Sequence, residues 1–157
     1  MALYGDLAVF GGVSQVTATL GVNDPEVGTI FRQGDEEYLF VYNNGNSQIS
    51  VGQFAVVTAV TGYSVTVSST TQVDKPVGVC KNATLTTGTY GWLLTRGFGP
   101  VKAVANSALA AGDLLLPGGD GLWSNKAIAT GNTANEYGKV MVATASGGIG
   151  DAFIKIF

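Results

Sequence analysis

The sequence contains no histidine and a single cysteine, Cys80, in 157 residues. Without an imidazole there is no histidine proton relay and no mixed zinc site, and one thiol cannot close an internal disulfide. Charge is scarce as well. Asp, Glu, Lys and Arg make up 12% of the chain, about half the 25% of an ordinary soluble domain, and the chain is too apolar to be disordered. The formal charge of -3 gives no general attraction to phosphate backbones or anionic lipid, so neither nucleic acid nor a membrane is expected as a partner. No stretch reaches the ~20 apolar residues that span a bilayer. Met1 to Gln15 carries Asp6 and no Lys or Arg, so a secretory signal, which starts with basic residues, is not expected either.

What the sequence has in quantity is glycine, 23 residues of it, and the windows between glycines are rich in Val, Thr, Tyr and Phe. Short strands joined by turns have this composition. Strict alternation in Tyr63-Ser64-Val65-Thr66-Val67-Ser68 predicts a half-buried strand. Tyr38-Leu39-Phe40-Val41-Tyr42 is apolar on both faces, so that strand is either sandwiched inside the domain or offers one face to another chain. Further strands are expected at Val27 to Phe31, Gln53 to Ala59, Val77 to Lys81, Tyr90 to Thr95, Lys139 to Ala143 and Ala152 to Phe157. The predicted fold is all-β, a single compact β-sandwich or β-barrel-like module.

Val101, Val104, Ala105, Ala108 and Leu109 have helical spacing behind Pro100, but an internal repeat argues against a helix there. A gapless shift of 60 residues aligns Val41 with Val101, Asn46-Ser47 with Asn106-Ser107, Gly52 with Gly112, Ser64 with Ser124 and Thr70 with Thr130. It continues through Gly78/Gly138, Ala83-Thr84/Ala143-Thr144 and Gly88/Gly148. The Ala-rich stretch therefore corresponds to the turn-rich residues 43–52 and is read as strand and turn. The module, residues 27–157, is accordingly built from two similar hairpin units, about 36–95 and 96–155. Residues 1–26 lie outside the duplication and read as an extended N-terminal arm.

Charge is unevenly placed. Residues 1–37 hold six acids (Asp6, Asp24, Glu26, Asp35, Glu36, Glu37) against Arg32 alone, while the remainder has seven bases against five acids. This is either a solvated acidic face or one that docks on a basic surface of a neighbour.

No constellation carries catalytic chemistry. Asp35, Glu36 and Glu37 are adjacent, which on a strand sends neighbours to opposite sides rather than across a substrate. Asp113 and Asp120 flank Leu114 to Gly119, and the Gly-Gly-Asp-Gly run beginning at Gly118 fails the calcium-repeat template, since position 123 is Trp123. It reads as a hairpin turn. Gly97-Phe98-Gly99 and Gly147-Gly148-Ile149-Gly150 satisfy no phosphate-loop spacing and are read as turns. Cys80 has no activating base and reads as a core residue. No enzyme activity, metal or cofactor is expected. Tyr90, Trp92, Phe98 and Trp123 are read chiefly as core, with a sugar-stacking platform as the alternative.

The run Val41-Tyr42-Asn43-Asn44-Gly45-Asn46-Ser47, then Thr87-Gly88-Thr89-Tyr90-Gly91-Trp92-Leu93-Leu94-Thr95-Arg96-Gly97, then Ala110-Ala111-Gly112-Asp113-Leu114-Leu115 and the closing Gly138 to Ala143 resemble the small capsid decoration (cement, or head-stabilisation) proteins of tailed bacteriophages. The resemblance covers roughly residues 36–157. It implies a structural virion protein made in the host cytoplasm, sitting on the outer capsid surface as a homo-oligomer, a trimer, and bridging major capsid protein subunits. In that setting the arm is expected to reach across a capsid or neighbouring subunit, with Tyr4, Phe10, Asp24 and Glu26 as contacts. The alternative function is a surface-exposed carbohydrate-binding or host-recognition module using Trp92, Trp123 and nearby tyrosines.

Overall fold

The computed structural model describes residues 13–22, 24–59, 63–67, 75–126 and 136–156. Among them there are eleven strands and no helix: β1 (Val16–Thr17), β2 (Ile30–Gln33), β3 (Glu36–Asn43), β4 (Phe54–Ala59), β5 (Ser64–Val67), β6 (Pro76–Val79), β7 (Tyr90–Lys102), β8 (Leu114–Gly119), β9 (Leu122–Lys126), β10 (Gly138–Val142) and β11 (Ile149–Lys155). The fold is all-β, and of the two architectures expected it is the barrel. Strands β3, β5, β4, β6 and β7 hydrogen-bond in that order, and β7 returns to β3, closing a ring of five. The single parallel pairing in the ring, Tyr42 with Ser64, joins β3 to β5.

The second half of β7 starts the ring again. Arg96 to Lys102 pair with β11, which pairs with β10, then β8 and β9. A parallel bridge from Ala103 to Trp123 completes this circuit, as the parallel Tyr42–Ser64 pair completes the first.

The two units share hydrogen bonds 60 positions apart. Gly52 N–H donates to the Cys80 carbonyl at 2.8 Å, and Gly112 N–H to the Val140 carbonyl at 2.8 Å. Cys80 N–H donates to Gln53 and Val140 N–H to Asp113. Each turn is closed by a side chain, with Ser50 N–H donating to Gln53 Oε1 at 2.8 Å and Ala110 N–H to Asp113 Oδ2 at 2.9 Å. Gly52 and Gly112 have φ of +85° and +95°, the conformation that the third position of a type II turn requires.

Strand β3 is buried on both sides because it runs between two core clusters. Leu39 and Val41 pack with Ile49, Ala55, Val65, Cys80, Leu85 and Leu93, the interior of the first ring. Tyr38 and Phe40 join Phe54, Val79, Trp92 and Leu94 in a second cluster, which continues into the second unit through Val101, Leu109, Leu115, Trp123, Val140 and Ile154. The tie between the units is specific. The Phe54 ring lies 4.8 Å from Trp123, and Phe54 N–H donates to the Gly121 carbonyl at 2.8 Å.

Several expected boundaries moved. The strand expected over Val27 to Phe31 begins at Ile30, because Glu26 to Thr29 form a turn in which Thr29 N–H donates to the Glu26 carbonyl. The strand expected to end at Thr95 runs on to Lys102 through Gly97, Gly99 and Pro100. An extra residue of β7 opposite the Glu37/Tyr38 step makes a bulge there. Gly97 has φ of +121°, and a Cβ on it would lie 2.8 Å from Glu36 Cγ.

The crossing at Gly97 thus tolerates no side chain. Gly97→Ala is expected to cost about 1–3 kcal/mol, read as a lower urea midpoint at unchanged slope. An unchanged midpoint would show that β7 does not need glycine where it passes between the units.

Candidate functional site

The most open apolar surface lies on the outward side of β7, β11 and β10. Side chains directly opposite each other in an antiparallel pair share a face, and the register sets the rows: Lys139, Phe153 and Phe98, then Val142, Asp151 and Pro100, then Ile149 and Lys102. Phe98 and Phe153 meet edge to face at 5.3 Å. Phe98, Met141, Val142 and Ile149 are each at least half exposed. A bulge between Val140 and Val142 leaves both Met141 and Val142 outside. Arg96, Lys102, Lys139 and Lys155 accompany this patch against Asp151, making it apolar with a positive rim.

Beside Phe98 and Phe153 an open cleft of about 350 Å³ is walled by the β2–β3 hairpin, from Arg32 through Glu37, and by Arg96. Its carboxylates are largely engaged. Glu37 accepts from Arg32 Nε at 2.7 Å, with Arg32 77% exposed, a pair worth about 0–1 kcal/mol. Glu36 accepts from Lys81 Nζ and from the Tyr38 hydroxyl. Asp35 is exposed at the hairpin tip. Among the described residues no three His, Cys, Asp or Glu side chains gather at ligand spacing.

Other residues singled out in the sequence are held structurally. Asp113 caps a turn and also accepts from Asn125 Nδ2 at 2.8 Å. Asp120 and Gly121 form the turn between β8 and β9. Cys80 is buried, burial pushes its thiol up to about 11, and Sγ donates to the Ala83 carbonyl. The sugar-platform alternative is corrected: Trp92 is 8% and Trp123 0% exposed, since both fill the core that joins the units, and neither offers a ring face. Of Trp92, Trp123 and Phe98, the exposed ring is Phe98, which points outward where β7 leaves the first ring past the bulge at Thr95.

Of the four arm contacts, Tyr4 and Phe10 lie outside the described residues. The described stretch runs along the module: β1 pairs with Tyr90 and Gly91 of β7, and Val13 and Val27 pack against the larger cluster. Asp24 closes a loop, accepting from Gly21 N–H at 2.7 Å and Gln15 Nε2 at 3.3 Å. Glu26 is exposed. The structure brings neither carboxylate to the outward β7–β11–β10 face. Sequence reading missed that face because its residues alternate with glycines and small core residues, and the alternation becomes visible only once β7 is known to be continuous.

The Glu36 cluster sets a pH response. Burial pushes the Glu36 carboxyl up, but hydrogen bonds from Lys81 and Tyr38 and the Lys81 charge outweigh it, holding the group below its ordinary 4.5. Its contribution to stability is complete above about pH 4.5 and is lost as pH falls through the depressed folded-state value. Tyr38 shifts the other way. Burial first, then Glu36, raise its hydroxyl well above the ordinary 10, so the unfolded chain ionises earlier and stability falls as pH rises past 10. Glu36→Gln is expected to make the acid limb of a urea-midpoint-against-pH curve shallower; an unaltered acid limb would contradict the assignment.

No protein-family model and no curated protein matches the chain. Among solved structures, it is similar to the N base of the head fiber protein gp8.5 of bacteriophage phi29, with a TM-score of 0.54 and 14% identity over 75% of this chain and 92% of that one. At that identity the likeness is one of fold.

Proposed function

We propose that the protein is a structural component of a tailed-phage virion that binds the outer surface of the icosahedral capsid and stabilises it by bridging major capsid protein subunits. The observation that carries this reading is the shared fold with a phage head fiber base, nearly the whole of which is covered. The outward face of β7, β11 and β10 supports it, exposing Phe98, Met141, Val142 and Ile149.

The proposed mechanism is mass action without turnover, and no metal, cofactor, nucleic acid or membrane takes part. A protein that binds only the assembled shell adds about 2.7 kcal/mol per site when present at a hundred times its Kd. Bridging several subunits raises the effective concentration of each further contact. In this reading the protein works as a homo-oligomer, a trimer, and Tyr4, Phe10 and Glu26 are shell or subunit contacts. Asp24 acts indirectly, by shaping the loop that carries Glu26.

Co-sedimentation with purified shells of the phage that encodes the protein tests the reading. Retention on mature shells, together with a raised shell disassembly temperature, is expected; no retention at saturating protein would contradict it. Deleting residues 2–12 keeps β1 and is expected to leave the unfolding transition in place while lowering retention at least tenfold. Unchanged retention would remove Tyr4 and Phe10 from the contact.

A further inference from the structure

Equivalent faces of the two units have different fates. In the first unit Val79, Leu94 and Tyr38 form one outward row and Trp92 with Phe40 the next. At a spacing of 59 or 60 residues the second unit has Lys139, Phe153 and Phe98, then Asp151 and Pro100. All five positions of the first unit are 8% exposed or less. Their cover includes the chain that precedes the repeat, with Val13, Val27 and Phe31 packed on this cluster and Phe31 edge-on to Trp92 at 6.0 Å. Among the described residues no equivalent stretch lies on the face of the second unit, and Phe98 remains 54% exposed.

Nine large apolar side chains are exposed among the described residues, and all but Val57 and Tyr63 fall in two groups. Phe98, Met141, Val142 and Ile149 lie on this face, and Leu20, Val22 and Ile30 lie in the stretch leading into the first unit. Val22 is fully exposed. The charges around the two groups are opposite. Arg96, Lys102, Lys139 and Lys155 accompany the face against Asp151, whereas Leu20 to Ile30 carries Asp24 and Glu26 and no base.

We propose that the face formed by Phe98, Phe153, Met141 and Ile149 is the seat for a second copy of this chain, which covers it with its acidic Leu20–Ile30 stretch. The contact joins unlike surfaces, so each copy offers one seat and one stretch, and repetition closes a ring. Apolar side chains supply the buried area, and the lysines against Glu26 set orientation. This deepens the oligomeric part of the proposed function. It is tested on the protein alone, so its failure leaves shell binding to be judged separately.

The test is sedimentation velocity of the full chain and of Phe98→Glu, Ile149→Asp and Val22→Lys. Ile149→Asp guards against loss of the Phe98–Phe153 packing, and far-UV circular dichroism with the urea midpoint confirms folding. The wild-type chain is expected to be a closed oligomer, and each variant to associate about tenfold more weakly or worse. Phe98→Glu retains an intact stretch and Val22→Lys an intact seat, so mixing them is expected to yield a dimer of one of each. A monomeric wild-type chain, an oligomer indifferent to both Phe98→Glu and Ile149→Asp, or no mixed dimer would each overturn the proposal.

Discussion

One strand holds the molecule together. Tyr90 to Arg96 of β7 close the first ring against β3, and Arg96 to Lys102 open the second against β11. The two rings are therefore joined by continuous backbone pairing as well as by side-chain packing. Two constraints follow. The strand must change partners in midcourse, which the bulge at Thr95 and the positive φ of Gly97 permit, and the second ring must dock on the first, which Phe54 and Trp123 accomplish. Removing a ring such as Phe54 or Trp123 from a packed core typically costs about 3–5 kcal/mol; in this protein the loss would fall on the joint between the units.

Shared architecture with unequal surroundings produces the surface. The same strand rows are buried in one unit and open in the other, and the difference lies in what packs over them. Position 38 is Tyr with its hydroxyl on Glu36, and position 98 is Phe facing solvent. Position 79 is a buried Val, and position 139 is an exposed Lys. The second face thus mixes exposed apolar side chains, Phe98, Met141, Val142 and Ile149, with the charges of Lys139 and Asp151.

Much of this was legible in the sequence. Period-two alternation located β5, and the two-faced run at residues 38–42 marked a strand between two apolar layers. The 60-residue register placed Gly52 on Gly112 and Ser50 on Ala110, pairs that make the same turn bonds. It also overruled the helical spacing of Val101 to Leu109, because a turn backbone repeats more faithfully than side-chain periodicity. What was not legible depended on partners distant in sequence. Glycines at 97 and 99 and Pro100 read as a break, yet β11 pairs across all three and keeps the strand whole. Burial of Trp92 and Trp123 depends on packing between the units, which no local window contains. The same holds for the exposed face, which is defined by three strands drawn from positions 96 to 155.

The claim that one shared strand couples both units is tested most directly by giving each unit its own optical probe. The chain has two tryptophans, Trp92 in the first unit and Trp123 in the second. Trp123→Phe leaves fluorescence reporting the first unit, and Trp92→Phe leaves it reporting the second. Each is unfolded in urea beside far-UV circular dichroism, which follows both units. Coincident fluorescence and dichroism transitions in both variants are the predicted result, because unfolding either ring removes the pairing partner of the other. A fluorescence midpoint clearly separated from the dichroism midpoint in either variant would contradict the account, since the units would then fold as independent modules.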